Sequence, residues 1–295
     1  MPLESASEIM AHARRNRYAV GYFESWDLAS LEGAIDAAEQ SHAPTIIGFN
    51  GDFLARHDRA APARLAWYGA LARAAAESAQ VPCAVMFNEC PRDSWVECAT
   101  QVGFNLVMLA DATAKYDEIT LRVANLVDRA HSRGVAVEAE LGVLPCGAEE
   151  RDGGGGVLTD PDRAAEFVRA TGIDLLAVSV GNVHILLQGQ QNLDLERLAA
   201  IRRKVDIPLV LHGGTGITAE SLTQAIALGV AKINYGTYLK QRCLAELRRA
   251  IPDSDINPHH ALGYGGDADL LVITRRAVRN AILERIGILG CCGQG

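Results

Sequence analysis

With 295 residues, 49% of them hydrophobic and 22% charged, the chain has enough apolar material to bury a large core. A formal net charge of -8 and a pI near 5.5 exclude the basic footprint that nucleic acid or an anionic membrane surface requires, so an anionic ligand must be captured by a local device. The seven cysteines show no CxxC pair, and nowhere do about 18 apolar residues run together, so a soluble protein of the reducing cytoplasm is expected.

In chain order, short apolar or β-branched runs stand at "YAVGYF" (from 18), "APTIIGFN" (43), "PCAVMFN" (82), "FNLVMLA" (104), "VAVEAELG" (135), "LLAVSVG" (175), "LVLHG" (209) and "VAKINYG" (230). Segments with helical apolar spacing separate them, among them "LASLEGAIDAAEQ", "YDEITLRVANLVDRAHSRG", "PDRAAEFVRATG" and "TAESLTQAIALG". Alternation of this kind implies parallel strands with covering helices, and eight units predict an α/β fold of the closed (β/α)8 TIM barrel type over residues 1–295. A doubly wound open sheet is disfavoured, because no GxGxxG follows the first strand. The "RDGGGG" stretch after the fifth strand reads as a loop over the barrel mouth. Residues 251–295 form a C-terminal helical extension, with Leu270, Leu271, Ile273, Val278, Ile282 and Ile286 as its apolar stripe. Packing on the barrel's outside is the simpler role for this helix. The other is a subunit contact that carries His259 and His260 to a neighbouring site.

In such a barrel the active site is assembled from the C-terminal ends of the strands. Those ends supply Glu24, Asn50, Asn88 with Glu89, Asp111, Glu138 with Glu140, His184, His212 and Asn234. Turn chemistry accounts for Asn50 and Asp111 but not for two histidines and several glutamates. Two imidazoles plus a carboxylate make a common shell for a catalytic divalent metal. The glycines of "HGGTG" and "INYGT", after the seventh and eighth strands, expose backbone N–H groups where barrels usually hold phosphate.

Taken together, "YAV", "APTII", "VEAELG", "TGIDLLAVSVGNVH", "LVLHGGTGI" and "KINYGT" resemble the class II, zinc-dependent ketose-bisphosphate aldolases, nearest the tagatose-bisphosphate branch. The resemblance implies a (β/α)8 barrel that cleaves a phosphorylated ketose through a dihydroxyacetone-phosphate-like enediolate. It implies Zn2+ or another divalent metal with His184 and His212 as two of its ligands and Glu138 or Glu140 as an acidic residue near it. Gly181, Gly213, Gly214, Thr215, Asn234, Gly236 and Thr237 would hold the phosphate and an accompanying monovalent cation. It further implies a homodimer or homotetramer and a phosphorylated small-molecule substrate.

Departures from the family pattern concentrate in "CAVMFNEC". Where the family has His-x-Asp-His, the ungapped register places Met86, Phe87, Asn88 and Glu89, so the catalytic Asp is Asn88 and a metal-ligating His is Glu89. Ala110 occupies an Asp position, the first strand ends in Phe23 and Glu24, and the loop acid shifts to Glu149 and Glu150. An amide cannot accept a proton, and loss of a positioned general base costs roughly 10² to 10⁴ in rate. The resulting reading is a metal-dependent aldolase-type lyase with altered substrate. It uses Asn88, Glu89, Glu149 and Glu24 in catalysis, with Glu89, His184, His212 and Glu138 around the metal. Substrate selection would fall to Glu24, Trp26, Asn50 and residues 145–157. Two alternatives stand beside it: a one-residue slip that makes Glu89 the base and Cys90 the ligand, and a barrel that keeps both sites but performs isomerisation, epimerisation or no catalysis.

Overall fold

The computed structural model describes residues 2–56, 59, 61–147, 156–251 and 257–295. Eight parallel strands close in sequence order, with the last returning to the first: β1 (Val20–Ser25), β2 (Thr45–Asn50), β3 (Cys83–Cys90), β4 (Leu106–Leu109), β5 (Ala136–Leu141), β6 (Leu175–Val178), β7 (Leu209–Leu211) and β8 (Val230–Tyr235). This is the TIM barrel that the alternation predicts. The helices around it are α1 (Ala6–Asn16), α2 (Leu28–Ser41), α3 (Gly51–Ala55), α4 (Leu65–Ser78), α5 (Asp93–Ala99) and α6 (Tyr116–His131). They continue with α7 (Pro161–Thr171), α8 (Leu195–Lys204), α9 (Ala219–Ala227), α10 (Thr237–Ala250), α11 (Pro258–Ala261) and α12 (Leu270–Leu289).

Local chemistry explains where the helices begin and end. Asp27 caps α2 by accepting from Ser30 N, while the Ser30 hydroxyl accepts from Asp27 N, each at 3.0 Å or less. Asp160 caps α7, Pro161 occupies its first turn, and Gly172 closes it with φ of 70°. The strands are buried on both faces: outward residues such as Phe23 and Tyr235 stack with their ring centroids 5.9 Å apart. Inward residues fill the barrel itself.

The C-terminal helix α12 packs against α2 and α10 on the outside of the barrel. Gly33 makes this possible, since a Cβ there would stand 2.5 Å from the Arg275 carbonyl oxygen. Arg275 then grips both oxygens of Asp36 at 2.6 and 2.7 Å.

Two departures from regular strand geometry matter for function. His184, expected at the end of the sixth strand, lies beyond Val178 in the following loop, where its backbone exchanges hydrogen bonds with Pro145 and Gly147. In β3 the register shifts between Phe87 and Cys90, and Glu89 adopts φ of 49°.

Candidate active site

The bulge in β3 decides which side chains reach the barrel mouth. A regular strand would send Asn88 and Glu89 to opposite faces. With Glu89 in the left-handed region, a conformation costing roughly 1–3 kcal/mol for a non-glycine residue, both line one cavity of about 240 Å³. Cys90 turns away: its sulfur faces the Arg92 carbonyl at 3.7 Å, and its Cβ fills the space beside Gly51. The slipped reading, with Cys90 as a metal ligand, is therefore incompatible with this geometry.

His212, one residue beyond β7 and 1% exposed, is the hub. Its Nδ1 lies 3.1 Å from Glu89 and 3.0 Å from Glu140, and its Nε2 lies 2.9 Å from Glu138. Burial pulls its pKa down, but hydrogen bonds to Glu138, Glu140 and Glu89 prevail and raise it well above the ordinary value. Glu89, despite burial, is held well below the usual carboxylate range by His184, His212 and the Asn50 amide, which donates to it at 2.8 Å. The second imidazole arrives from the far side, with His184 Nε2 3.5 Å from Glu89.

Glu138 differs from its expected place among the metal ligands. Its side chain is fully buried behind His212, with one oxygen on Nε2 and the other 2.8 Å from the Lys232 ammonium. On β5 it lies two residues deeper than Glu140, and Glu140 is the acid on the open side of the ring. Lys232, also fully buried, donates to Asn234 Oδ1 at 2.6 Å. Burial lowers the Lys232 pKa against the pull of Glu138, while Lys232 and His212 keep Glu138 ionised. Sequence reasoning missed Lys232. A lysine inside the apolar run "VAKINYG" was the available signal, because lysine is almost never fully buried without a partner.

The donor chemistry of Glu89, His184, His212 and Glu140 suits a divalent cation. Ligand atoms at about 2.0–2.2 Å from a tetrahedral ion stand roughly 3.3–3.5 Å apart, close to the 3.0–3.5 Å separations seen around Glu89 and His212. Among the described residues no three of His, Cys, Asp and Glu form a finished cage.

The phosphate-side residues gather at β7, β8 and α10. Gly213 has φ of 67°, and a Cβ there would lie 2.1 Å from the Val183 carbonyl oxygen, so glycine is required. Thr215 Oγ1 accepts from Tyr238 N at 3.2 Å, and Thr237 opens α10. Gly213, Thr215, Asn234, Gly236 and Thr237 border the 240 Å³ cavity, whereas Gly181 and Gly214 shape the loops behind it.

Glu24 lies at the same cavity, 7% exposed, and accepts from the Lys240 ammonium. Gly236 leaves it room, since a Cβ there would approach its carboxylate to 2.2 Å. Burial raises the Glu24 pKa, opposed by Lys240. The ammonium of Lys240 also lies 4.2 Å from the Phe53 ring centroid. Three buried polar atoms of residues bordering this cavity have no hydrogen-bond partner among the described residues: Tyr22 Oη, Asn88 Oδ1 and Asn234 Nδ2. A second cavity of about 700 Å³, which shares Glu89 and His184, opens toward β4 and β5 with Glu140 and Asp111 on its wall. Glu149 and most of the glycine-rich stretch lie outside the described residues.

Chemistry gathered at this end of a TIM barrel marks an enzyme acting on small molecules. Known proteins narrow that class. The family profile described as "Fructose-bisphosphate aldolase class-II" matches residues 4–294. The chain is 33% identical, over the whole length of both proteins, to the probable fructose-bisphosphate aldolase of Bacillus subtilis (strain 168). Its structure matches the crystal structure of the YdjI aldolase from Escherichia coli K12 with a TM-score of 0.80 at 30% identity, covering 99% of each chain. It matches that of a putative fructose-1,6-biphosphate aldolase from Coccidioides immitis with a TM-score of 0.82 at 25% identity, covering 98% of this chain and 97% of that one. The chain belongs to the class II fructose-bisphosphate aldolase family, and the protein is an aldolase-type lyase. That family is generally dependent on a divalent metal. No helix among the described residues is long and apolar enough to cross a membrane.

Proposed function

We propose that the protein cleaves a phosphorylated ketose between C3 and C4, releasing a dihydroxyacetone-phosphate-like fragment and an aldehyde, and that it does so without the family's usual base. One observation carries this reading: Glu89 and His184 share a single cavity with the glycine-built anion loop, and the buried His212 ring lies 3.1 Å from Glu89. Glu89, His184 and His212 would hold Zn2+ or another divalent cation, with Glu140 beside them. Such a cation, when bound, would polarise the ketone and favour the enediolate. Backbone N–H groups after β7 and β8, with Thr215 and Thr237, receive the phosphate, and a monovalent cation near Asn234 accompanies it.

Asn88 cannot take the C4 hydroxyl proton. Of the carboxylates bordering the 240 Å³ cavity, Glu89 is engaged with both histidines, which leaves Glu24. Glu24 takes the proton as the C3–C4 bond breaks, the electron pair staying on C3 and the carbonyl forming at C4. Lys240 keeps the carboxylate in place, and burial brings its basicity closer to what a general base needs. We place the enzyme in the cytoplasm as a homodimer or homotetramer.

The test combines metal analysis with a retro-aldol assay on fructose and tagatose bisphosphates and on ketose 1-phosphates. Release of a three-carbon product, reduced about 10² to 10⁴-fold in Glu24→Gln, is the expected result. A product of unchanged mass would assign the site to isomerisation instead, and full activity of Glu24→Gln would remove Glu24 from the base role.

A further inference from the structure

We propose that Tyr22 is a substrate-contacting residue whose hydroxyl, with the Asn234 amide beside it, donates to the oxygen that becomes negative as the three-carbon fragment turns into an enediolate. This inference rests on the aldolase reading above and assigns a role to a side chain that lies outside the motifs of the site.

Tyr22 is 1% exposed, on the inner face of β1, where it lines the phosphate-side cavity, and its buried Oη has no hydrogen-bond partner among the described residues. A buried hydroxyl without a partner is unfavourable, so its retention needs a reason outside the fold. Two more residues that line the same cavity carry such atoms, Asn234 Nδ2 and Asn88 Oδ1. Tyr22 and Asn234 are register partners on β1 and β8, so their side chains stand next to each other on the inner wall. Asn88 approaches from β3.

The trio therefore offers two donors and one acceptor. An enediolate has the complementary set: a charged oxygen that accepts and a hydroxyl that donates. Lys232 lies beside both donors, with its ammonium 5.2 Å from the Tyr22 ring centroid and 2.6 Å from Asn234 Oδ1, which turns the amide N–H group of Asn234 away from the lysine. Burial first, and then the charges of Glu24, Glu89 and Glu138, raise the phenol's pKa well above its ordinary value, so it acts as a donor. Donors fixed in advance toward developing charge are the usual source of transition-state stabilisation in acyl and enolate chemistry.

The hydroxyl can be deleted without breaking a contact in the fold, and this separates function from structure. Tyr22→Phe should keep or raise the thermal midpoint. It should also slow two reactions by roughly 10² to 10³-fold: retro-aldol cleavage, and exchange of the hydroxymethyl proton of dihydroxyacetone phosphate in D2O followed by NMR. The exchange reaction involves the three-carbon fragment alone, so an equal loss in both places Tyr22 on that fragment. Unchanged exchange in Tyr22→Phe overturns the proposal, and so does a clear fall in thermal midpoint, which would show that the hydroxyl is a structural group. A wild-type enzyme inert in exchange as well as cleavage would instead overturn the aldolase reading, and this inference with it.

Discussion

Replacing Lys232 by Met tests whether the buried ion pair beneath the site supports the fold as the geometry implies. Lys232 and Glu138 are both 0% exposed and 2.8 Å apart. At an effective dielectric of about 20, two unit charges at that separation attract by about 6 kcal/mol, an upper bound that desolvation largely offsets. Removing one partner leaves Glu138 buried with His212 alone, and breaking a buried pair in this way typically costs about 3–5 kcal/mol. For a chain of 295 residues the entropy of unfolding near the midpoint is about 0.6 kcal/mol/K, so the midpoint should fall by about 5–8 °C. Urea denaturation and calorimetry would measure both quantities. Adding Glu138→Gln should recover part of the loss, because no unpaired charge then remains buried. A loss below about 1 kcal/mol for Lys232→Met would refute the reasoning, since it would mean that Glu138 takes up a proton or reaches water without penalty.

Two further outcomes are expected. Zinc at about 100 times its dissociation constant should stabilise the protein by about 2.7 kcal/mol, a midpoint shift of roughly 4 °C. His184→Ala should lose most of that shift, and its side chain, 39% exposed, can be removed without opening the core. An equal zinc shift in the variant would exclude His184 from the cation site. At the end of β4, the Arg122 guanidinium and Thr113 hold the Asp111 carboxyl at about 2, below its ordinary 3.8. A depressed pKa contributes stability above the unfolded value that is lost as pH falls through the folded one, here between about pH 4 and pH 2. Asp111→Asn should therefore cost about 1–2 kcal/mol at pH 7, allowing for the 21% exposure of the side chain. The gap to wild type should shrink as pH falls from about 4 to 2 and close below pH 2, and a gap that stays at its pH 7 value through that range would refute the assignment.

Asp111 also shows how far strand-end residues can be interpreted from the sequence. It stands beside the position where the family carries an acid, yet it is tied to Arg122 and to its own turn through Thr113, as a turn former would be. His212 and Glu89 were legible as site residues because their types are wrong for turns. Lys232 was marked only by its place inside an apolar run, and Lys240 by nothing, since its partner Glu24 lies at the other end of the chain. Glu138 and Glu140 share one face of β5, and only the position of the His212 ring separates the acid behind it from the acid in front.

The sequence by itself determined the barrel. Alternating strand and helix patterns are local, and eight of them leave few closed arrangements that bury every apolar face. It also located the site, because the C-terminal strand ends are known once the strand order is known. Tertiary structure decided which groups act together. Glu24 and Lys240 lie 216 residues apart and meet only because β8 returns to β1. The bulge that turns both Asn88 and Glu89 into one cavity depends on a left-handed backbone at a glutamate, a conformation no local propensity favours and only the surrounding packing can hold.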